Sequence, residues 1–175
     1  MGNDGTTAYV SVATREESPD FDPEEMGVAC VAVLLDGTVY FFEEDELGRL
    51  FKLLSSVDRV VGVNEFGLEV LEPYTRTVSF DVEKVEFTGI QAVVSDSLGE
   101  RVSLNNVAKN TLGRERPDPS RLPLEWRSGR KETVRQALKN DVLILRELHR
   151  RASSQGYLWV KHPETLEERK VEVDI

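Results

Sequence analysis

The chain has 175 residues, 39% of them apolar and 31% charged, which suits one folded domain with a real core and excludes a disordered polymer. No apolar run approaches the roughly 20 residues that cross a bilayer, and a net charge of -10 leaves no broad electrostatic footprint for nucleic acid. A single cysteine, Cys30, cannot staple the monomer, and no charged-then-apolar leader is present, so a cytoplasmic protein is expected.

Ala8-Tyr9-Val10-Ser11-Val12-Ala13-Thr14 is a compact β-branched run and predicts the first strand. Met1-Gly2 with Thr6, just before it, matches the bare myristoylation pattern, which is too short and common to carry weight. The acidic stretch from Arg15 to Glu25, with Pro19 and Pro23, predicts an exposed loop. Gly27 to Leu35 is almost continuously apolar, as expected of a strand buried on both faces, and carries Cys30 as a buried thiol. Asp36-Gly37 is a hairpin signal, so Thr38 to Phe42 should return antiparallel. Leu47, Leu50, Phe51 and Leu54 then fall on one face of a helix whose first turn is acidic.

Arg59 to Asn64 predicts a short strand, and Glu65 to Leu71 a short helix closed by Pro73. Thr77 to Val82 reads as another strand or an extended link, and Val85 to Leu98 as a helix stopped by Gly99. Ser103 to Gly113 is a short helix with a Leu-Gly stop, followed by a proline-marked loop and a long helix running to Arg151. Gly156 to Lys161 and Glu168 to Val173 predict a terminal hairpin around His162-Pro163-Glu164-Thr165. With no repeat and no long linker, 1–175 is read as a single domain. A hairpin-started mixed sheet with helices packed on it is an α/β arrangement, and sites in such sheets gather at strand carboxyl ends.

In the long helix, Val134, Leu138, Leu145, Leu148 and Ala152 form an apolar stripe with one gap, filled by Asp141. An unpaired carboxylate on a core-facing stripe is costly. Three readings stay open: Asp141 accepts hydrogen bonds from backbone or an arginine, it binds a metal with other carboxylates, or it borders a cleft near Ser11 to Thr14 and Val63 to Phe66. Arg114, Arg116, Arg121, Arg127, Arg130, Lys131 and Arg135 cluster close by. They suit a face solvated and paired with glutamates better than a phosphate-binding patch. Within this cluster Arg114, Arg116, Arg127, Arg130 and Lys131 are the candidate nucleic-acid contacts. Trp126 and Trp159 are expected to be packing anchors rather than base-stacking platforms. His149 and His162 lie too far apart for a helical metal pair, and His149 is expected on a helix face.

The order of these elements, together with Tyr9 to Thr14, Met26-Gly27-Val28, Val60-Val61-Gly62-Val63-Asn64-Glu65-Phe66-Gly67, Pro73-Tyr74-Thr75, Leu124-Glu125-Trp126, Gly129-Arg130 and Asn140-Asp141-Val142, resembles the ribonuclease-H-like fold of DEDD-type 3′–5′ exonucleases. The similarity points to the bacterial branch found beside or fused to helicases. It extends to Ser103 through Gly113 and to the closing Gly156-Tyr157-Leu158 and Val171-Glu172-Val173-Asp174. The resemblance implies a mixed sheet flanked by helices with a C-terminal β-hairpin. It also implies two divalent metals, Mg²⁺ or Mn²⁺, held by carboxylates.

The sequence departs from the family at the residues that matter for that chemistry. Ser11 stands at the first-strand Asp position, Ala13 at the Glu position, Gly67 at the second Asp and Ala137 where a Tyr or His would position water. Only Asp141 remains, and one carboxylate with a hydroxyl cannot hold two metals. The expectation is a degenerate domain, inactive and without a cofactor, acting in nucleic-acid or protein interaction. The alternatives are a metal-dependent exonuclease with relocated ligands among Asp20, Asp22, Glu24, Glu25, Glu65 and Glu69, or a structural partner of a helicase system. Single-stranded nucleic acid and a helicase-type protein are the partners the resemblance suggests.

Overall fold

The computed structural model describes residues 5–175; of the myristoylation pattern, Met1 and Gly2 lie outside the described residues. A five-stranded sheet has the order β3-β2-β1-β4-β5, where β1 is Thr7–Thr14, β2 Val28–Leu35, β3 Thr38–Glu43, β4 Arg59–Gly62 and β5 Phe87–Gly89. The first three strands form an antiparallel meander, and β4 and β5 add in parallel beside β1. This is the mixed sheet expected of a ribonuclease-H-like domain. The turn between β2 and β3 uses positive φ at both Asp36 (48°) and Gly37 (80°), the backbone that matches strand twist in a two-residue hairpin.

The sheet is covered on both faces, and β1 shows why. Its even positions, Ala8, Val10 and Val12, point to a cluster built from Leu47, Leu50, Phe51 and Leu54 of α2 (Leu47–Leu54) and Val70 and Leu71 of α3 (Phe66–Leu71). Its odd positions, Tyr9, Ser11 and Ala13, point to the other face. There α7 (Lys131–Gln155) lies across β1 and β2, with α4 (Ile90–Leu98), α5 (Leu104–Leu112) and α6 (Leu122–Arg127) around it. Small residues on that face, Ala13, Ala29 and Ala32, let α7 approach closely. β2 is buried on both sides, as its continuous apolar run predicts, and burial pushes the Cys30 thiol up to about 11. Removing one of the large buried side chains of α7 is expected to cost about 2–5 kcal/mol.

Three local expectations are corrected. The acidic loop after β1 contains a short helix, α1 (Pro23–Met26), because Asp22 accepts a hydrogen bond from the Glu24 N–H and Pro23 suits a first helical position. Of the two readings of Thr77 to Val82 the strand is the one that fails: a 3₁₀ helix, Glu72–Thr77, follows α3, which itself ends at Leu71 ahead of Pro73 as expected. Val85 to Leu98 is not one helix, since Phe87–Gly89 pairs with β4 and only Ile90–Leu98 is helical.

The terminal hairpin, β6 (Tyr157–Lys161) and β7 (Glu168–Glu172), is clamped to α5 through side chains. Thr111 Oγ1 accepts from the Trp159 N–H and donates to the Trp159 carbonyl, each at 2.9 Å. Asn106 Oδ1 accepts from the Lys161 N–H at 2.8 Å while its amide donates to the Lys161 carbonyl at 2.7 Å. Asn106→Ala leaves that strand edge to solvent, so amide exchange at Lys161 should accelerate about tenfold, the loss of one net hydrogen bond's worth of protection.

Candidate functional site: a buried ion pair on the sheet

Asp141 fills the gap in the α7 stripe and lies only 2% exposed, directly over the odd face of β1. Three donors converge on its carboxylate. Ser11 Oγ donates to Oδ2 at 2.9 Å, and Arg116 donates through Nε to Oδ1 at 2.8 Å and through a terminal nitrogen to Oδ2 at 2.9 Å. The Arg116 side chain is 11% exposed, so both charges are largely removed from water. Parallel donation from one planar guanidinium is the geometry in which arginine neutralises a carboxylate best. Of the three readings of Asp141, the one that pairs it with an arginine describes its contacts.

The loop that delivers Arg116 is itself fastened. The Arg116 N–H donates to Asn105 Oδ1 at 2.8 Å, Arg114 donates to Asn140 Oδ1 at 3.2 Å, and the Asn140 amide reaches the Glu115 carbonyl at 3.4 Å. Asn105 belongs to α5 and Asn140 immediately precedes Asp141, so both walls of the site hold the loop. α5 starts at Ser103, whose side chain accepts from the Asn106 N–H, and stops at Gly113 in the left-handed region, where the chain turns into this loop.

The positions singled out by sequence are brought together only in part. Ser11 meets Asp141, and Ala13 and Ala137 are buried in the same core cluster. Gly67 lies apart, where an added Cβ would touch Val12 at 3.4 Å on the opposite face of the sheet. Arg116 leaves the proposed basic face for the interior. Arg127 pairs with Glu16 at 2.7 Å, Lys131 with Glu43 at 2.7 Å, and Arg130 with Glu125. Trp126 is half-buried beneath Lys131, 4.6 Å from the ring centre. Trp159 is not a packing anchor: it is 39% exposed and stands edge-on to Tyr157, because Leu158 and Val160 take the inward phase of β6.

The donor set does not fit a two-metal centre. Among the described residues no group of three or more His, Cys, Asp or Glu side chains is arranged to hold a metal ion. Both oxygens of Asp141 are engaged, and the guanidinium beside them repels a cation. The acids considered as relocated ligands point elsewhere. Glu65 lines a cleft with Arg59, Glu86 and Asp96, Glu69 lines another with Glu24 and Arg76, and neither cleft includes Ser11 or Asp141.

One further buried polar contact went unread in the sequence. Tyr9 Oη lies 2.9 Å from His149 Nδ1, and His149 Nε2 is buried without a partner among the described residues. Burial, with a smaller contribution from Arg59, holds the His149 pKa below its usual value, and burial raises that of Tyr9. The spacing of Asp141 and His149, two turns apart on α7, was the available signal: both fall on its sheet-facing side.

No family model and no curated protein matches the sequence. Among solved structures the chain is similar to the family B DNA polymerase from the hyperthermophilic archaeon Pyrobaculum calidifontis, with a TM-score of 0.67 and 15% identity. The match covers 85% of this chain and 24% of the polymerase chain, so this chain spans about a quarter of that protein's length. At this identity the likeness is one of fold.

Two outcomes test the site. Arg116→Met or Asp141→Leu alone should destabilise the protein by about 3–5 kcal/mol, because each strands a buried charge, whereas the two together should cost far less; urea unfolding of the parent, the two single variants and the double variant measures the coupling. A depressed histidine pKa favours the neutral form in the folded state. The stability it contributes is therefore complete above roughly pH 6.5, the unfolded value, and is lost as pH falls below it. Urea midpoints at pH 7 and pH 5 should consequently differ less in His149→Phe than in the parent.

Proposed function

We propose that this chain is a catalytically inert ribonuclease-H-like module that works by binding, with an internal ion pair standing where its exonuclease relatives hold metal. The observation that carries this reading is the bidentate contact of Arg116 with Asp141, capped by Ser11. In the family that the sequence resembles, Asp141 would share divalent cations with acids at the positions of Ser11, Ala13 and Gly67. Here a guanidinium supplies positive charge and directed donors to the one acid left, which neutralises it without a metal. A fold persists when its site is lost, because the two are separable.

The binding partner is a protein of the helicase type or single-stranded nucleic acid, and the charge distribution supports the protein. The chain carries -10 overall, and Arg127, Arg130 and Lys131 each face a glutamate instead of open solvent. A phosphate-tracking surface needs uncompensated cations.

A thermal melt with and without millimolar Mg²⁺ or Mn²⁺ tests the inert reading, because a ligand of the folded state alone must raise the melting temperature. No shift is expected, and no cleavage of a single-stranded oligonucleotide. A rise abolished by Asp141→Asn would sink the proposal. Oligonucleotide anisotropy at two salt concentrations separates the partners: tight, steeply salt-dependent binding that fades on reversing Arg127 and Arg130 would favour nucleic acid over protein.

A further inference from the structure

Strand edges are hazards that folded proteins blunt with shortness, charge, proline or cover, and this chain blunts each of its others. β5 is three residues long. The edge of β6 is filled by Thr111 and Asn106. β7 carries Glu168, Arg169, Lys170 and Glu172. β3 is the exception. It ends the five-stranded sheet, and Thr38-Val39-Tyr40-Phe41-Phe42 contains no charge, no proline and no bulge.

The register shows which groups are open. Asp36-Gly37 is a two-residue turn, so Leu35 and Thr38 form a hydrogen-bonded pair, and Val33–Tyr40 and Val31–Phe42 repeat it. The N–H and C=O of Val39 and Phe41 therefore point away from β2, and no other element among the described residues bonds them. The Glu43 N–H, next in the series, is already taken by the Glu46 side chain at 3.2 Å. What remains is a short ladder centred on Tyr40, which is 44% exposed.

We propose that β3 is the pairing edge of a twofold homodimer, with the axis passing beside Tyr40. An antiparallel neighbour must set same-face residues opposite one another. Centred on Tyr40, a second copy lays its Phe41 against Val39 and its Val39 against Phe41, so every open N–H and C=O finds a partner. Tyr40 meets the second copy's Tyr40 in the closer, non-hydrogen-bonded position, an aromatic cross-strand pair, and Thr38 meets Phe42. No charged side chain opposes another along the ladder. The acids just beyond it are compensated, Glu43 by Lys131 at 2.7 Å and Glu44 by Arg15 at 2.8 Å, so the chain's net charge is not focused on this edge. This self-complementarity singles out a second copy from other extended segments, since an isologous contact needs a strand that pairs with itself.

Sedimentation velocity from micromolar to several hundred micromolar full-length chain tests it, with Tyr40→Lys alongside. The parent should show a concentration-dependent dimer, and the variant, which sets two ammonium groups across the axis, should dissociate about tenfold more readily or worse. Circular dichroism checks that the variant folds, as expected for an exposed edge position. Register is read by disulfide trapping. Cα atoms in a non-hydrogen-bonded pair lie about 4.5 Å apart, within disulfide range, so Tyr40→Cys should cross-link on mild oxidation and Thr38→Cys should not, while buried Cys30 stays silent. A monomer throughout the range would overturn the proposal. So would a dimer indifferent to Tyr40→Lys, or one trapped through Thr38→Cys and not Tyr40→Cys.

Discussion

The ion pair between Asp141 and Arg116 ties the parts of this molecule together. It joins α7, the loop after α5 and β1 at one point beneath the surface, and each of its components is useless without the others. A lone carboxylate there would be intolerable in so dry a setting, and a lone guanidinium worse. With both present, and with Ser11 adding a third donor, the charges cancel. The asparagines at 105 and 140 then fix the loop that carries the arginine. Such a pair adds little to stability compared with a well-packed apolar substitute, but it fixes where α7 and the loop must sit.

The surroundings of the pair are as neutral as the pair itself. Clustered carboxylates repel one another unless cations bind. Here Ser11, Ala13 and Ala137 are small and neutral, so they add no charge beside Asp141, and α7 closes down on β1 over them.

Much of this was legible in the sequence, for reasons that are local. The first four strands, the Asp36-Gly37 turn and the α7 stripe follow from side-chain period and turn chemistry, and the anomaly at Asp141 followed from the stripe alone. What escaped was set by distant partners. β5 exists because Phe87–Gly89 can pair with β4, and three residues carry no pattern of their own. Arg116 looked like one more member of a basic surface, since nothing in its irregular loop reveals that it turns inward to an acid 25 residues further on. Trp159 could have been read correctly from strand phase, because Leu158 and Val160 flank it on the opposite face. The spacing of His149 from Asp141 marks the buried side of α7, but its partner Tyr9, 140 positions away, carries no such mark.

The same separations bear on how the chain matures during synthesis. Tyr9 and Ser11 emerge from the ribosome early, but the residues that cover them, His149 and Asp141, are made 140 and 130 positions later. The opposite face of the sheet needs only α2 and α3, which follow within the first half of the chain. A nascent polypeptide can therefore assemble one layer while the other stays bare, with apolar surface that must be shielded until α7 arrives. Stalled or truncated synthesis before α7 would release a half-covered sheet, a form well suited to recognition by chaperones and quick to aggregate without them.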